Sequence, residues 1–295
     1  MPKPEQLREL DALVFDIQDV GARFYTYPAT LGLALEAAGR DHKKFFVLDR
    51  INPITDAIVE GPVQTRAQNF IGFHPLPVRY GMTLGELAKM LNAERGYGAD
   101  LTVIACENWS RDSWFDQTGL PWVNPSPSMR SPQEAALYPG TCLLEGTAVS
   151  VGRGTLAPFE QIGAPFIEGE KLAAEMNRAG LAGVRFDAVR FTPNPALYPG
   201  PAALLKLNGK VCNGVRIVVT DRARCAVVDV GLALALALQR LYPKDFKADD
   251  MARCVGDDET VAAIKAGKSL AEIKALWTAR LAEFEARRKK FLIYR

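Results

Sequence analysis

Two stretches of the sequence place carboxylates beside arginines, hydroxyls and glycines. The first is residues 16–27, DIQDVGARFYTY, and the second is residues 145–160, EGTAVSVGRGTLAPFE. Each follows a short apolar run that resembles a strand. Carboxyl groups transfer protons and arginines bind anions, so this composition indicates a site for a polar substrate.

The elements that must position the first stretch are two predicted parallel strands. The apolar run 12–15 ends at Asp16, and the run 44–48 ends at Asp49. Ligands of open α/β sheets bind outside the carboxyl ends of the strands. We therefore expect an acidic rim, balanced by arginines, that consists of Asp16, Asp19, Arg23, Asp49 and Arg50.

A structural interpretation of the same residues competes with this one. A helix is predicted over 26–38, and acidic residues ahead of a helix commonly cap it. Asp16 and Asp19 would then cap this helix and pair with Arg23.

Strands and helices alternate up to about residue 106, which predicts an α/β fold with a Rossmann-like parallel-sheet domain over 1–138. A long loop follows, with Trp109, Trp114 and Trp122. Beyond it the strands are fewer and more widely spaced, which predicts a smaller α+β domain over 139–295. The predicted strands are 101–105, 184–191 and 214–220, and the predicted helices are 83–94, 169–179, 228–241 and 270–289.

Composition excludes several classes of protein. The formal net charge of +2 comes from 36 basic and 34 acidic residues, and no basic stripe with interleaved aromatic residues indicates nucleic acid as a partner. The five cysteines form no CxxC pair and the chain has two histidines, so we predict no metal site and no Ser-His-Asp triad. Without a phosphate-binding loop, a nucleotide-dependent enzyme is a weak alternative, and we predict no cofactor. The longest apolar run is too short to span a membrane.

Aromatic residues near the polar loops suit a sugar, because a pyranose presents an apolar C–H face to a ring. Tyr25, Tyr27, Trp114 and Trp122 are the candidates. The competing interpretation is that each tryptophan anchors its loop to the core.

Several long motifs resemble those of one family when they are taken together and in order. They are FDIQDVGARFYTY at 15–27, LDRINPI at 48–54, RYGMTLGELA at 79–88, NPSPSMRSP at 124–132 and LLEGTAVSVGRGTLAPFEQIGAP at 143–165. Together they resemble the exo-β-N-acetylmuramidases of the NamZ type. Tyr80 replaces the family's usual histidine, and Ile51 replaces a proline.

The resemblance implies a glycoside hydrolase that removes N-acetylmuramic acid from the non-reducing end of peptidoglycan fragments, in a cleft between two domains. Of the acids present, we predict Glu145 as the catalytic acid, because it lies in a motif that matches the family. The competing interpretation is that Glu145 is a buried structural glutamate hydrogen-bonded to Arg153. We also predict that Arg130 or Arg153 binds the lactyl carboxylate. Asn124 in the NPSPSMRSP loop joins the substrate-binding candidates. We expect Asp16, Asp19, Arg23, Asp49, Glu145 and Arg153 to approach one cleft.

The family also carries a Pro-Glu-His-Gly motif ahead of residue 15, and the chain begins after it. We therefore expect weak activity, and a non-catalytic protein that binds muropeptides stays the alternative function. The resemblance implies a periplasmic or extracellular enzyme. The chain shows no signal peptide, so it would be cytoplasmic if Met1 is the true start. The oligomeric state stays open.

Overall fold

The computed structural model describes residues 1–294 and divides them into two compact units. The first unit contains Met1–Val59, Arg66–Pro121 and a C-terminal segment that begins at Arg280. The second unit contains Glu60–Thr65 and Trp122–Ala279. These units differ from a division at residue 138 in residues 60–65, in residues 122–138 and in the C-terminal segment. The domain boundary at 138 stays a prediction.

The first unit is built on a parallel sheet with the strand order β1-β2-β3. In the register of the sheet, Phe15 pairs with Val47, which pairs with Val103. The strands are β1 (Ala12–Phe15), β2 (Lys44–Leu48) and β3 (Asp100–Ile104). The helices are α1 (Pro4–Leu7), α2 (Tyr27–Arg40), α3 (Leu84–Arg95) and, from the C-terminal segment, α10 (Thr278–Arg288). Helices α2 and α3 pack against each other and against the sheet.

Local sequence explains where α3 begins and ends. The Thr83 hydroxyl accepts a hydrogen bond from the Glu86 backbone N–H, and the Glu86 carboxylate accepts one from the Thr83 N–H, both at 3.2 Å. This reciprocal capping box satisfies two backbone donors of the first turn. Gly96 ends the helix in the left-handed conformation, with φ of 64°.

One face of the parallel sheet is largely uncovered. Val14 is 61 % exposed, Leu48 is 39 % exposed and Ile104 is 50 % exposed. Val14 pairs with Phe46, and Leu48 pairs with Ile104, so these side chains project from the same face. The first unit therefore presents an apolar surface that α2 and α3 do not cover.

The second unit contains an antiparallel sheet with the strand order β4-β6-β5. Its strands are β4 (Gln161–Ala164), β5 (Val184–Phe191) and β6 (Cys212–Val219). Its helices are α4 (Pro132–Thr141), α5 (Gly169–Arg178), α6 (Val227–Leu241), α7 (Ala252–Val255), α8 (Asp258–Lys265) and α9 (Leu270–Ala275). Helix α5 packs on β5 and β6, and α4 packs on α6. The predicted combination of a parallel-sheet α/β part and an α+β part is confirmed.

Two predicted elements are wrong in detail. Glu145 does not follow a strand, because Cys142–Leu144 is a 3₁₀ turn that continues α4. Gly152 and Gly154 have φ of 80° and 75°, which breaks the chain into turns before β4 begins. The helix predicted over 270–289 is two helices, α9 and α10, because 3₁₀-type hydrogen bonds close the turn at Trp277, whose side chain is buried.

Within residues 1–294, no helix is long and apolar enough to cross a lipid bilayer.

Candidate functional site

The carboxyl ends of β1 and β2 carry an exposed ion pair. Asp16 follows β1, and its Oδ1 lies 2.6 Å from Nε of Arg50, which follows β2. The two side chains are 45 % and 44 % exposed. An exposed pair of this kind stabilises a fold by about 1 kcal/mol at most, so both groups are available to a ligand at little cost in stability.

Asp49 lies at the end of β2, and its carboxylate accepts more hydrogen bonds than that of Asp16. Its Oδ1 accepts hydrogen bonds from the Gly85 N–H at 2.8 Å and from the Arg50 N–H at 3.0 Å. Its Oδ2 accepts from the Thr83 hydroxyl at 2.7 Å and from the Tyr294 hydroxyl at 2.6 Å. Burial raises the pKa of the Asp49 carboxyl, and these four donors oppose the rise.

Asp19 is buried just inside this edge, with 6 % of its surface exposed. Its Oδ2 accepts from the Tyr80 hydroxyl and from the Gly21 N–H, the latter at 2.8 Å. Its Oδ1 is buried and makes no hydrogen bond with the described residues. Burial raises the pKa of Asp19 to about 6, although the hydrogen bond from Tyr80 lowers it. Such a carboxyl is suited to holding a proton near neutral pH.

Arg23 and Tyr25 are buried in the same unit. The Arg23 guanidinium donates from Nη1 to the Leu76 carbonyl at 3.0 Å, and the Tyr25 ring contacts the Tyr27 ring edge-on with centroids 4.9 Å apart. Asp16 and Asp19 do not cap α2, because the N-cap residue is Thr26 and its side chain makes no capping bond. The structural interpretation of these two acids as caps is therefore wrong. Substrate contact by Arg23 and Tyr25 stays a prediction.

A buried acidic cluster was missed by sequence reasoning. Glu86 and Asp56 are both 0 % exposed, and Arg111 donates to the Glu86 carboxylate at 2.7 and 3.1 Å while lying 3.7 Å from Asp56 Oδ2. The Asn52 amide donates to Asp56 Oδ1 at 2.7 Å. Burial, and to a smaller extent the nearby Glu86 carboxylate, raise the pKa of Asp56 to about 8, although Arg111 opposes the rise. The spacing of these residues in the sequence gives no sign of the cluster, because tertiary structure brings them together.

In the second unit, Glu145 is paired with Arg153. Arg153 Nε lies 2.5 Å from Glu145 Oε1, and the Cys142 thiol donates to Oε2 at 3.5 Å. The side chains are 18 % and 12 % exposed, so this ion pair is largely withdrawn from water. The Arg153 guanidinium also lies over the ring of Phe159, 4.8 Å from its centroid, and over the ring of Tyr198 at 5.9 Å.

The other candidates of the second unit lie in the segment that precedes α4. Arg130 donates from Nη2 to the Thr155 carbonyl at 2.8 Å and lies 3.6 Å from the Glu134 carboxylate. Asn124 is exposed. The Trp122 indole N–H donates to the Met129 carbonyl at 3.1 Å, which links two parts of the same loop.

The candidates thus form two groups. One contains Asp16, Asp49 and Arg50 with Asp19 just inside, and the other contains Glu145 and Arg153. The convergence of both groups on one cleft stays a prediction. Within residues 1–294, no group of three or more histidines, cysteines or acids is arranged to hold a metal ion.

Comparison with known proteins identifies the family. Residues 1–133 match the N-terminal domain described as exo-β-N-acetylmuramidase NamZ, and residues 136–294 match the C-terminal domain of the same description. The chain belongs to the NamZ exo-β-N-acetylmuramidase family. The resemblance read from the sequence motifs is confirmed.

One curated relative and two solved structures support membership of the NamZ family. The peptidoglycan β-N-acetylmuramidase NamZ of Bacillus subtilis (strain 168) is 42 % identical over 99 % of this chain and 70 % of its own length. Two DUF1343 family proteins of Bacteroides fragilis, each 31 % identical, superpose with TM-scores of 0.90 and 0.79. Both comparisons cover 100 % of this chain, and 77 % and 78 % of those proteins.

Proposed function

We propose that the chain is a glycoside hydrolase that releases N-acetylmuramic acid from the non-reducing ends of peptidoglycan fragments. The observation that supports this most strongly is the match of both NamZ domains, in order, along residues 1–133 and 136–294. The Bacillus relative carries the name of an enzyme, which favours catalysis over the alternative of a non-catalytic muropeptide-binding protein. The substrate makes the periplasm or the cell exterior the proposed location.

Hydrolysis of a glycosidic bond needs an acid that protonates the leaving oxygen and a second group that stabilises the oxocarbenium-like transition state or activates water. We assign the acid role to Glu145. Its carboxylate is largely buried, and its partners Arg153 and Cys142 hold both oxygens in place. Opening of the contact with Arg153 would free one oxygen to take up a proton from solvent and then deliver it to the leaving oxygen.

The lactyl carboxylate distinguishes N-acetylmuramic acid from N-acetylglucosamine, and an arginine is the natural partner for it because the guanidinium binds carboxylates through two parallel hydrogen bonds. We assign this contact to Arg130 or Arg153. Arg130 is the more exposed of the two, since 29 % of its side chain is exposed, compared with 12 % for Arg153. Arg130 lies 3.6 Å from Glu134, whereas Arg153 is in direct contact with Glu145.

The strand-end residues of the first unit supply the remaining polar contacts in this proposal. Asp16 and Arg50 are exposed, and we assign them contacts with sugar hydroxyls. Asp19, Arg23 and Tyr25 are buried, so in this proposal they support that edge instead of making the substrate contacts predicted for them. Asn124 completes the proposed set from an exposed loop.

The test is turnover of a chromogenic β-N-acetylmuramide by the purified chain and by its Glu145→Gln variant. Removing a general acid lowers the rate by about 10²–10⁴-fold, and we expect a fall of this size in kcat. Glu168→Gln is the matched control, because Glu168 belongs to the same unit and its side chain is 68 % exposed.

The outcomes separate the function from the residue assignment. Absence of turnover by the unmodified chain would count against the proposed function and in favour of the binding alternative, which calorimetry with N-acetylmuramic acid would then examine. Full turnover by Glu145→Gln would leave the function in place and move the acid role to another carboxyl group.

A further inference from the structure

The C-terminal segment reaches the ends of the parallel strands. The Tyr294 hydroxyl donates to Asp49 Oδ2 at 2.6 Å and accepts a hydrogen bond from the Cys106 N–H at 2.9 Å. Asp49 directly follows β2, and Cys106 follows β3 two residues after its end at Ile104. One side chain therefore bridges the carboxyl ends of two neighbouring strands, which is where open α/β sheets bind their ligands.

The backbone around Tyr294 is held in place by a buried charge. Glu86 Oε1 accepts from the Ile293 N–H at 2.8 Å and from the Tyr294 N–H at 3.3 Å. The same carboxylate receives the Arg111 guanidinium. Burial raises the pKa of Glu86, while Arg111 and the backbone donors oppose the rise. A fully buried carboxyl group is costly to leave without donors, so these contacts hold the segment in place.

The Tyr294 ring extends this edge with an aromatic surface. The Trp109 ring packs edge-on against it, with centroids 4.8 Å apart and an interplanar angle of 83°. Both residues are partly exposed, as is Asp49 beside them. An aromatic wall next to a carboxylate matches a sugar ring, which has an apolar C–H face and hydroxyl groups around its rim.

We propose that Tyr294 is a positioning residue of the strand-end site, the group of Asp16, Asp49 and Arg50. Tyr294 fixes the Asp49 carboxylate and forms, with Trp109, the wall against which a sugar ring of the substrate lies. This inference rests on the proposed function for the nature of the ligand. It assigns a role in the site to the C-terminal segment, which lies far in sequence from the other strand-end residues.

A measurable property follows from the hydrogen bond. Burial raises the pKa of Asp49, and the donated hydrogen bond from Tyr294 lowers it. Loss of the hydroxyl should therefore raise the pKa of Asp49 further. If the substrate needs the ionised carboxylate, the acidic limb of the activity profile should move to higher pH by the same amount. A tyrosine that only packed against its neighbours would leave this limb where it is.

The experiment compares the unmodified chain with Tyr294→Phe, which keeps the ring and removes the hydroxyl. Tyr97→Phe is the matched control, because the Tyr97 hydroxyl belongs to the same unit and has no hydrogen-bond partner among residues 1–294. The readouts are kcat and KM on the chromogenic muramide between about pH 4 and 8, and the carbon-13 titration of the Asp49 carboxyl by NMR.

For Tyr294→Phe we expect the Asp49 titration and the acidic limb of kcat/KM to move together to higher pH. We also expect kcat/KM to fall by about tenfold at the optimum, the size of one hydrogen bond to a charged group. Tyr97→Phe should change neither quantity.

An unchanged Asp49 titration in Tyr294→Phe would overturn the inference, whether or not the chain is active. A shifted titration with unchanged kcat/KM would also overturn it, because Tyr294 would then be structural only. Absence of turnover by the unmodified chain would instead overturn the proposed function, and the titration alone would then decide whether Tyr294 positions Asp49.

Discussion

Asp56 illustrates how a single buried carboxyl couples folding to pH. Its pKa of about 8 in the folded chain is far above the ordinary value of 3.8, so the folded state holds this proton more tightly than the unfolded state. The stability that the protonated group contributes is complete below about pH 4, and it is lost progressively as the pH rises to about 8. Asp19, with a pKa of about 6, acts in the same direction over a narrower range.

We expect Asp56→Asn to remove part of this pH dependence. The amide mimics the protonated acid, so its oxygen can still accept from Asn52, while no charge is forced into the interior at high pH. The free energy of unfolding, from denaturant titrations at about pH 5 and 8, should fall less between these values in the variant than in the unmodified chain.

Asp245→Asn serves as the control for this change, because Asp245 is exposed. An identical pH dependence in Asp56→Asn and the unmodified chain would show that Asp56 is ionised throughout and that Arg111 compensates its charge fully.

At the scale of elements, the turn after β1 depends on a glycine. Gly21 has φ of 74°, and a Cβ at this position would lie 2.3 Å from Asn52 Oδ1. Gly98 has a similar φ of 63°, but a Cβ there would meet nothing within 4 Å. Alanine substitutions at the two positions therefore separate the free-energy cost of the left-handed backbone from the cost of the clash with Asn52.

We expect Gly98→Ala to destabilise the chain by about 1–2 kcal/mol, the cost of the left-handed conformation. Gly21→Ala should cost more, because it also displaces the Asn52 side chain that donates to Asp56. Thermal unfolding of both variants measures the difference. Equal changes in Tm would mean that Asn52 moves aside without cost.

The elements that the sequence predicted well are those with a clear apolar period. Strand β5 was predicted over 184–191 and lies at Val184–Phe191, because the alternation of VRFDAVRF indicates a strand without reference to the rest of the chain. The stretch 143–165 was harder, since its apolar residues suggest a strand while Gly152 and Gly154 place turns within it.

The site was predictable only in part for a related reason. Asp16 and Asp49 were found because they end strands, and strand ends are visible in the sequence. Asp56 and Glu86 resembled ordinary loop and helix residues, and their burial together depends on the tertiary structure that brings Arg111 between them. No spacing rule predicts such a cluster.

At the scale of the whole molecule, the uncovered face of the parallel sheet is the feature that most favours self-association. Val14 and Ile104 are the most exposed of its apolar residues, and contiguous apolar surface of this kind promotes association. The short edge strand β1 adds unpaired backbone groups at its free side.

We expect the double substitution Val14→Thr and Ile104→Thr to lower self-association without loss of stability, because threonine keeps the β-branched shape that strands favour and both side chains are at least half exposed. Light scattering over a range of protein concentrations measures the association. A Tm that falls by several degrees would instead show that this face is packed in solution.

The first unit is built from segments that are far apart in sequence, and this constrains how the chain folds as it is synthesised. The segment that donates to Glu86 and Asp49 leaves the ribosome after all of residues 122–279, although its partners were made at the start. Domains commonly fold in the order in which they are synthesised, but here the first unit needs a segment that is made after the second unit. Until then the buried Glu86 carboxyl group lacks two amide donors, so the first unit gains its full set of buried hydrogen bonds only after the second unit has been synthesised.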